Sequence, residues 1–139
     1  MKFQVKDIKS RPAVEALVLS YFVKDKPDSH PLWRQLRAPD KKQVGRYFKA
    51  KEFTGKDNEI KVLSRSPKGK ILLVGLGEKK KWNLRKLVLS ARHVVAVAKA
   101  EHISTLALAL ESLEASGMST ERLAQAVVEN SVMADYDFL

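Results

Sequence analysis

The chain has 139 residues, of which 45% are hydrophobic and none is cysteine. That length makes one domain, able to bury roughly 70% of the surface its unfolded form exposes, and the missing thiols exclude a disulfide framework and any thiolate metal centre, as suits the cytoplasm. The formal net charge of +10 is unevenly spread: residues 1–100 carry 25 Lys+Arg against 9 Asp+Glu (+16), and residues 101–139 carry one against seven (−6). Such segregation can gather one basic face, which suits nucleic acid, an acidic partner or only solvent.

The first residues, MKFQVKDIK, alternate charge with apolar character. They lack the apolar stretch of a secretory signal, and Phe3 and Val5 have the period of a half-buried strand. AVEALVLSYF (13–22) predicts a second, more buried strand, and KDKPDSHP reads as a loop. After Pro31, LWRQLR and DKKQVGRYF predict two short helical pieces with basic outer faces, parted by Ala38-Pro39, the proline suiting a helix start. FTGKDNE is turn chemistry and EIKVLS a strand. RSPKGK then leads into the strand KILLV closely enough to favour an antiparallel hairpin.

Leu84, Leu87, Val88, Ala91, Val94, Val95 and Ala98 recur at steps of three and four, so a helix from about Trp82 to Ala100 with one apolar face is expected, capped by Asn83. ISTLALAL (103–110) predicts a strand covered on both faces, and KILLV, the helix and ISTLALAL form one right-handed crossover unit. After the loop LEASGM, Ser119 can cap a last helix over about 120–135 with a wide apolar band: Leu123, Ala124, Ala126, Val127, Val128, Val132 and Met133. No apolar run approaches the roughly 20 residues that span a bilayer, so a soluble protein with no membrane partner is expected. The order of elements predicts an α/β domain with a mixed sheet between helix layers.

Three stretches could carry chemistry. Gly75-Leu76-Gly77 follows a strand and precedes a helix, the context of a phosphate-holding loop. The dinucleotide fingerprint needs a small residue at position 80, where Lys80 stands, and the spacing to a Gly-Lys-Ser/Thr end is missing, so a structural turn is the favoured reading. Lys79, Lys80 and Lys81, with Arg85 and Lys86 one turn on, form the densest basic cluster and could meet phosphates with Trp82 as a stacking platform. A solvated run with Trp82 folded onto the domain is favoured over that. A second basic set, Lys41, Lys42, Arg46 and Lys49, shares a helix. His30, His93 and His102 are scattered, with no metal-ligand spacing near them. No serine sits in a G-x-S-x-G elbow. Neither catalytic nor metal-ligating nor cofactor-binding residues are therefore assigned.

Taken in order, GRYFKAKEFTGKDNEIKVL, KILLVGLGEKKKWNLRKL and LAQAVVENSVMADYDFL resemble the helix, turn and strand, the strand, glycine turn and helix, and the closing helix of the N-terminal, non-catalytic domain of leucyl (cytosol) aminopeptidases. The resemblance implies a macro-domain-like, three-layer α/β/α fold over residues 1–139. It also implies a separate C-terminal catalytic domain that holds two divalent metal ions, zinc or manganese, and removes N-terminal amino acids from peptides. That domain's signature, N-T-D-A-E-G-R-L, is absent from this chain, so no catalytic residue carries over. The partners implied are the catalytic domain and the other subunits of a homohexamer, with an assembly or regulatory role. DNA is a further partner among some bacterial relatives, with Lys79, Lys80, Lys81, Arg85, Lys41, Lys42, Arg46 and Lys49 as the contacts to test. Fold analogy alone adds ADP-ribose at the glycine loop.

Overall fold

The computed structural model describes residues 15–65 and 68–109. The expected first strand around Phe3 and Val5 and the expected last helix over 120–135 lie outside them. Within them the chain runs β1 (Ala16–Tyr21), a single 3-10 turn at Pro27–Ser29, another at Trp33–Gln35, α1 (Ala38–Lys49), β2 (Ile60–Ser64), β3 (Lys70–Gly75), a 3-10 turn at Lys79–Lys81, α2 (Leu84–Ala100) and β4 (Leu106–Leu108). The four strands form one mixed sheet in the order β2-β3-β1-β4.

β1 and β3 are buried along almost their whole length, as their β-branched and leucine-rich sequences require of strands covered on both faces. Alternation splits them between two cores. Val18, Leu72 and Val74 face Leu87, Val94 and Ala98 of α2. Leu17, Leu19, Tyr21, Ile71 and Leu73 face Val44 of α1 together with Leu32, Leu36 and Phe53. The result is helix, sheet, helix, the layered α/β arrangement expected.

The hairpin is as expected: β2 pairs antiparallel with β3 from Ile60↔Val74 to Ser64↔Lys70. Arg65 N–H donates to the Gly69 carbonyl at 2.8 Å, and Gly69 supplies the positive φ of 105° that the turn needs. α2 begins where Asn83 caps it, its side chain accepting from Lys86 N–H at 3.0 Å.

The structure refines three elements. LWRQLR yields the short helical piece expected, as one 3-10 turn, because Leu36 and Arg37 are already extended and carry the chain to α1. That step lets both Leu32 and Leu36 reach the core. β4 is three residues long and only half-buried. Ile103 N–H turns back to Ala98, and Ser104 N–H and Thr105 Oγ1 bond to Glu15, which takes the first part of ISTLALAL out of the ladder. Lastly, the sheet order separates β3 from β4. Both run parallel to β1, which lies between them, so the α2 crossover spans one strand.

Candidate functional site

In an open α/β sheet, ligands gather beyond the carboxyl ends of the parallel strands. Here three connections meet at that end: residues 22–26 after β1, 53–59 before β2, and 76–83 after β3. The glycines are what let them meet. Gly75 N–H donates to the Glu59 carbonyl at 2.7 Å, Leu76 N–H to Tyr21 at 2.9 Å, and Gly77 N–H to Gly55 at 2.8 Å, while the Gly77 carbonyl accepts from Val23 N–H at 3.0 Å. Three successive amides are thus committed to backbone oxygens. A loop that cradles phosphate offers its amides outward, so Gly75-Leu76-Gly77 is a packing junction, as the missing small residue at position 80 suggests.

Glu59 organises the second connection. Its Oε1 accepts from Thr54 N–H at 2.8 Å and Gly55 N–H at 3.1 Å, so the paired amides that could have taken an outside anion hold an internal carboxylate.

Lys79, Lys80 and Lys81 occupy the exposed 3-10 turn at the mouth of this junction. Lys79 Nζ lies 5.8 Å from the Phe22 ring centre and Lys81 Nζ 3.5 Å from Glu78. Arg85 is exposed, and Lys86 reaches Asp57 at 3.5 Å. Trp82 is not a stacking platform. It is 6% exposed and packs edge-on to Phe22 with ring centres 5.4 Å apart. The junction also collects cations that sequence reasoning left in loops, the exposed Lys24, Lys26 and Lys56. Only the three-dimensional meeting of the connections reveals them.

Lys41, Lys42, Arg46 and Lys49 sit on α1, which covers the face of the sheet opposite α2. Lys41 Nζ stands 6.0 Å from the Trp33 ring centre. Arg46 and Lys49, with Gln43, Tyr47, Ala50 and Glu52, line a shallow concavity of about 480 Å³. The two basic sets are therefore separate features of the surface.

His30, set among loop residues in the sequence, is buried beneath the end of β1. Ser20 N–H points at Nε2 at 3.2 Å and Leu32 N–H at Nδ1 at 3.0 Å, and burial pushes its pKa down to about 4. Tyr21 lies against it with ring centres 5.3 Å apart. The Tyr21 phenol donates to the Pro27 carbonyl at 2.9 Å, and burial, aided by Asp25 and Asp28, raises its pKa. Among the described residues no group of three His, Cys, Asp or Glu side chains could hold a metal ion. The buried candidates are turned to other partners: both His30 nitrogens face backbone amides, and Asp40 faces Arg65. Among the described residues the donor set does not fit a metal centre, and no catalytic step follows from it.

Residues 18–139 match the sequence profile of the cytosol aminopeptidase family, N-terminal domain. A probable cytosol aminopeptidase of Thermosynechococcus vestitus is 36% identical over 88 residues, 60% of this chain and 17% of that protein. Among solved structures, a K354E mutant of tomato leucine aminopeptidase superposes with a TM-score of 0.70 at 21% identity, over 97% of this chain and 27% of that one. The macrodomain of Mycobacterium tuberculosis DarG superposes with a TM-score of 0.63 at 18% identity, over 94% of this chain and 89% of that one. The macro-domain-like fold is thus shared beyond the peptidases, and the chain spans about a quarter or less of the aminopeptidases it matches. It belongs to the cytosol aminopeptidase family, as that family's N-terminal domain.

Proposed function

We propose that this chain is the non-catalytic assembly and regulatory domain of a metal-dependent leucyl aminopeptidase. Its partners are then a C-terminal domain that carries two zinc or manganese ions and releases N-terminal amino acids, and the other subunits of a cytoplasmic homohexamer. The observation that carries the reading is the match over residues 18–139, supported by a strand-end junction whose glycine amides are spent on the fold itself. The purified 139-residue chain, supplied with manganese or zinc, should release no product from leucyl-p-nitroanilide. Metal-dependent turnover by the chain alone would overturn the proposal.

One observation favours a second reading, a nucleic-acid contact: Lys24, Lys26 and Lys56 join Lys79, Lys80, Lys81 and Arg85 around one end of the sheet. Lysines on an open rim, with Trp82 withdrawn into the core, suit phosphate contacts rather than base stacking. If about six phosphates are neutralised, affinity for duplex DNA falls about a thousandfold between roughly 50 and 200 mM salt. Replacing Lys79, Lys80 and Lys81 by Glu should weaken binding more than the same change at Lys42, Arg46 and Lys49. Undetectable binding at low salt removes this reading.

A further inference from the structure

The connection between β1 and α1 crosses the face of the sheet that α1 covers, and two of its polar contacts converge on one imidazole. Ser20 N–H lies 3.2 Å from His30 Nε2 and Leu32 N–H lies 3.0 Å from Nδ1, with the residue only 5% exposed. A neutral imidazole has a single lone pair, so it accepts one of these donors while its own N–H opposes the other. The imidazolium has no lone pair at all. Protonation therefore sets N–H against N–H on both sides of a ring that is also losing its hydration.

We propose that His30 is an acid-released latch: when protonated, its imidazole leaves its seat and residues 27–37 detach from the face formed by Leu17, Leu19 and Tyr21, while Phe22 and α2 stay packed on the opposite face. The two cores make partial release feasible. Leu32 and Leu36 belong to one cluster and the α2 residues to the other, and α1 keeps its own anchors in Val44 and in Asp40, which faces Arg65 just past the end of β2.

Neither ring nitrogen of His30 meets a carboxylate: both face backbone amides. The titratable and charged groups on the elements around it are Tyr21 from β1, Lys24, Asp25, Lys26 and Asp28 from the connection, Arg34 and Arg37 at and after the second 3-10 turn, and Asp40, Lys41, Lys42, Arg46, Tyr47 and Lys49 from α1; the Asp25 carboxylate accepts from Phe22 N–H at 2.9 Å. The Tyr21 phenol stays neutral throughout the acid range, because its pKa is raised. Asp40 faces Arg65, and Lys41 stands over Trp33. Among the described residues no carboxylate is hydrogen-bonded to the ring, and burial is the cause of its lowered pKa. A free imidazole titrates near 6.5 and the seated one near 4. Between those values the opening equilibrium rises by up to about tenfold per pH unit, about 300-fold in all.

The two tryptophans report on the two faces separately. Trp33 packs with the His30 side and Trp82 with the α2 side. In single-tryptophan variants, Trp82→Phe should show a fluorescence transition of Trp33 between pH 6 and 4, while Trp33→Phe shows a steady Trp82 signal over the same range. His30→Asn keeps an acceptor for Leu32 N–H and cannot titrate, so it should lose the Trp33 transition. Coincident transitions of the two tryptophans, or a Trp33 transition that survives His30→Asn, would overturn the latch. Nitrogen-15 NMR of the unaltered chain gives an independent reading. Release predicts that the Ser20 and Leu32 amides shift together with His30 protonation, whereas an imidazole that titrates near 6.5 with those amides unmoved refutes it.

Discussion

Gly75 and Lys56 meet where no side chain fits: a Cβ added to Gly75 would lie 2.0 Å from the Lys56 carbonyl oxygen and 2.8 Å from the Gly55 carbonyl carbon. Both obstacles are backbone, so neither can swing aside. This approach brings the two connections close enough for Gly77 N–H to reach Gly55, and the fold needs glycine at 75 for space rather than for a ligand.

Gly75→Ala should therefore cost more than about 3 kcal/mol, lowering the melting temperature by roughly 10 °C. Gly45, inside α1 with nothing within 4 Å of where a Cβ would stand, is the contrast. There, Gly45→Ala removes only the helix penalty of glycine and should stabilise by about 1 kcal/mol. Calorimetric melts of the two variants check both signs, and equal effects would show that crowding at the junction is not what position 75 responds to.

The layers were legible because periodicity records burial. The steps of α2 and the dense apolar runs of β1 and β3 name the faces that lie in the two cores. What periodicity does not encode is which strands become neighbours. β4 lies beside β1 rather than β3, and the residues just before it, Ser104 and Thr105, bond to Glu15, some ninety positions away. The site was legible to the same extent. Lys80 at the third small position told against a nucleotide fingerprint, whereas the arrival of Lys24, Lys26 and Lys56 at the same rim depends on tertiary hydrogen bonds. KDKPDSHP has the composition of an exposed loop, and nothing local distinguishes the buried His30 from the exposed Lys26 within it.

The lowered pKa of His30 gives stability a pH dependence of known sign. The folded chain binds the proton less tightly than the unfolded chain, whose histidines titrate near 6.5. Stability is therefore complete above that value and falls as the pH drops toward about 4. From pH 7 to pH 4.5 the linkage amounts to about 2.5 kcal/mol. Urea denaturation at those two pH values, in the unaltered chain and in His30→Asn, separates this loss from the carboxylates' contribution. The variant should lose about 2.5 kcal/mol less, and parallel losses would contradict the assignment.

Tyr21 has the opposite sense. Burial first, then the negative charges of Asp25 and Asp28, raise its pKa above the usual 10, so the fold favours the protonated phenol. The stability it contributes is present below pH 10 and declines as the pH rises above it. Tyr21→Phe removes the bond to the Pro27 carbonyl and should cost about 1 kcal/mol at pH 7. It should also flatten the alkaline loss. Denaturation at pH 7 and pH 10.5 measures both effects, and an unaltered alkaline slope in the variant would assign that loss to the lysines instead.

Asp40 stands in the first turn of α1 with 1% of its side chain exposed, and its Oδ2 lies 3.6 Å from Nε of Arg65, just past the end of β2. The carboxylate suits the helix N-terminus, and the pair ties the helix layer to the sheet. Removing one member of a buried pair leaves the other's charge poorly compensated, a larger loss than the pair's net contribution. Asp40→Ala should cost about 3 kcal/mol, whereas the double change Asp40→Leu with Arg65→Met should recover most of it by substituting apolar packing. If the double variant is as unstable as the single one, the position depends on the carboxylate's role at the helix end rather than on Arg65. A double-mutant cycle followed by urea denaturation distinguishes the two.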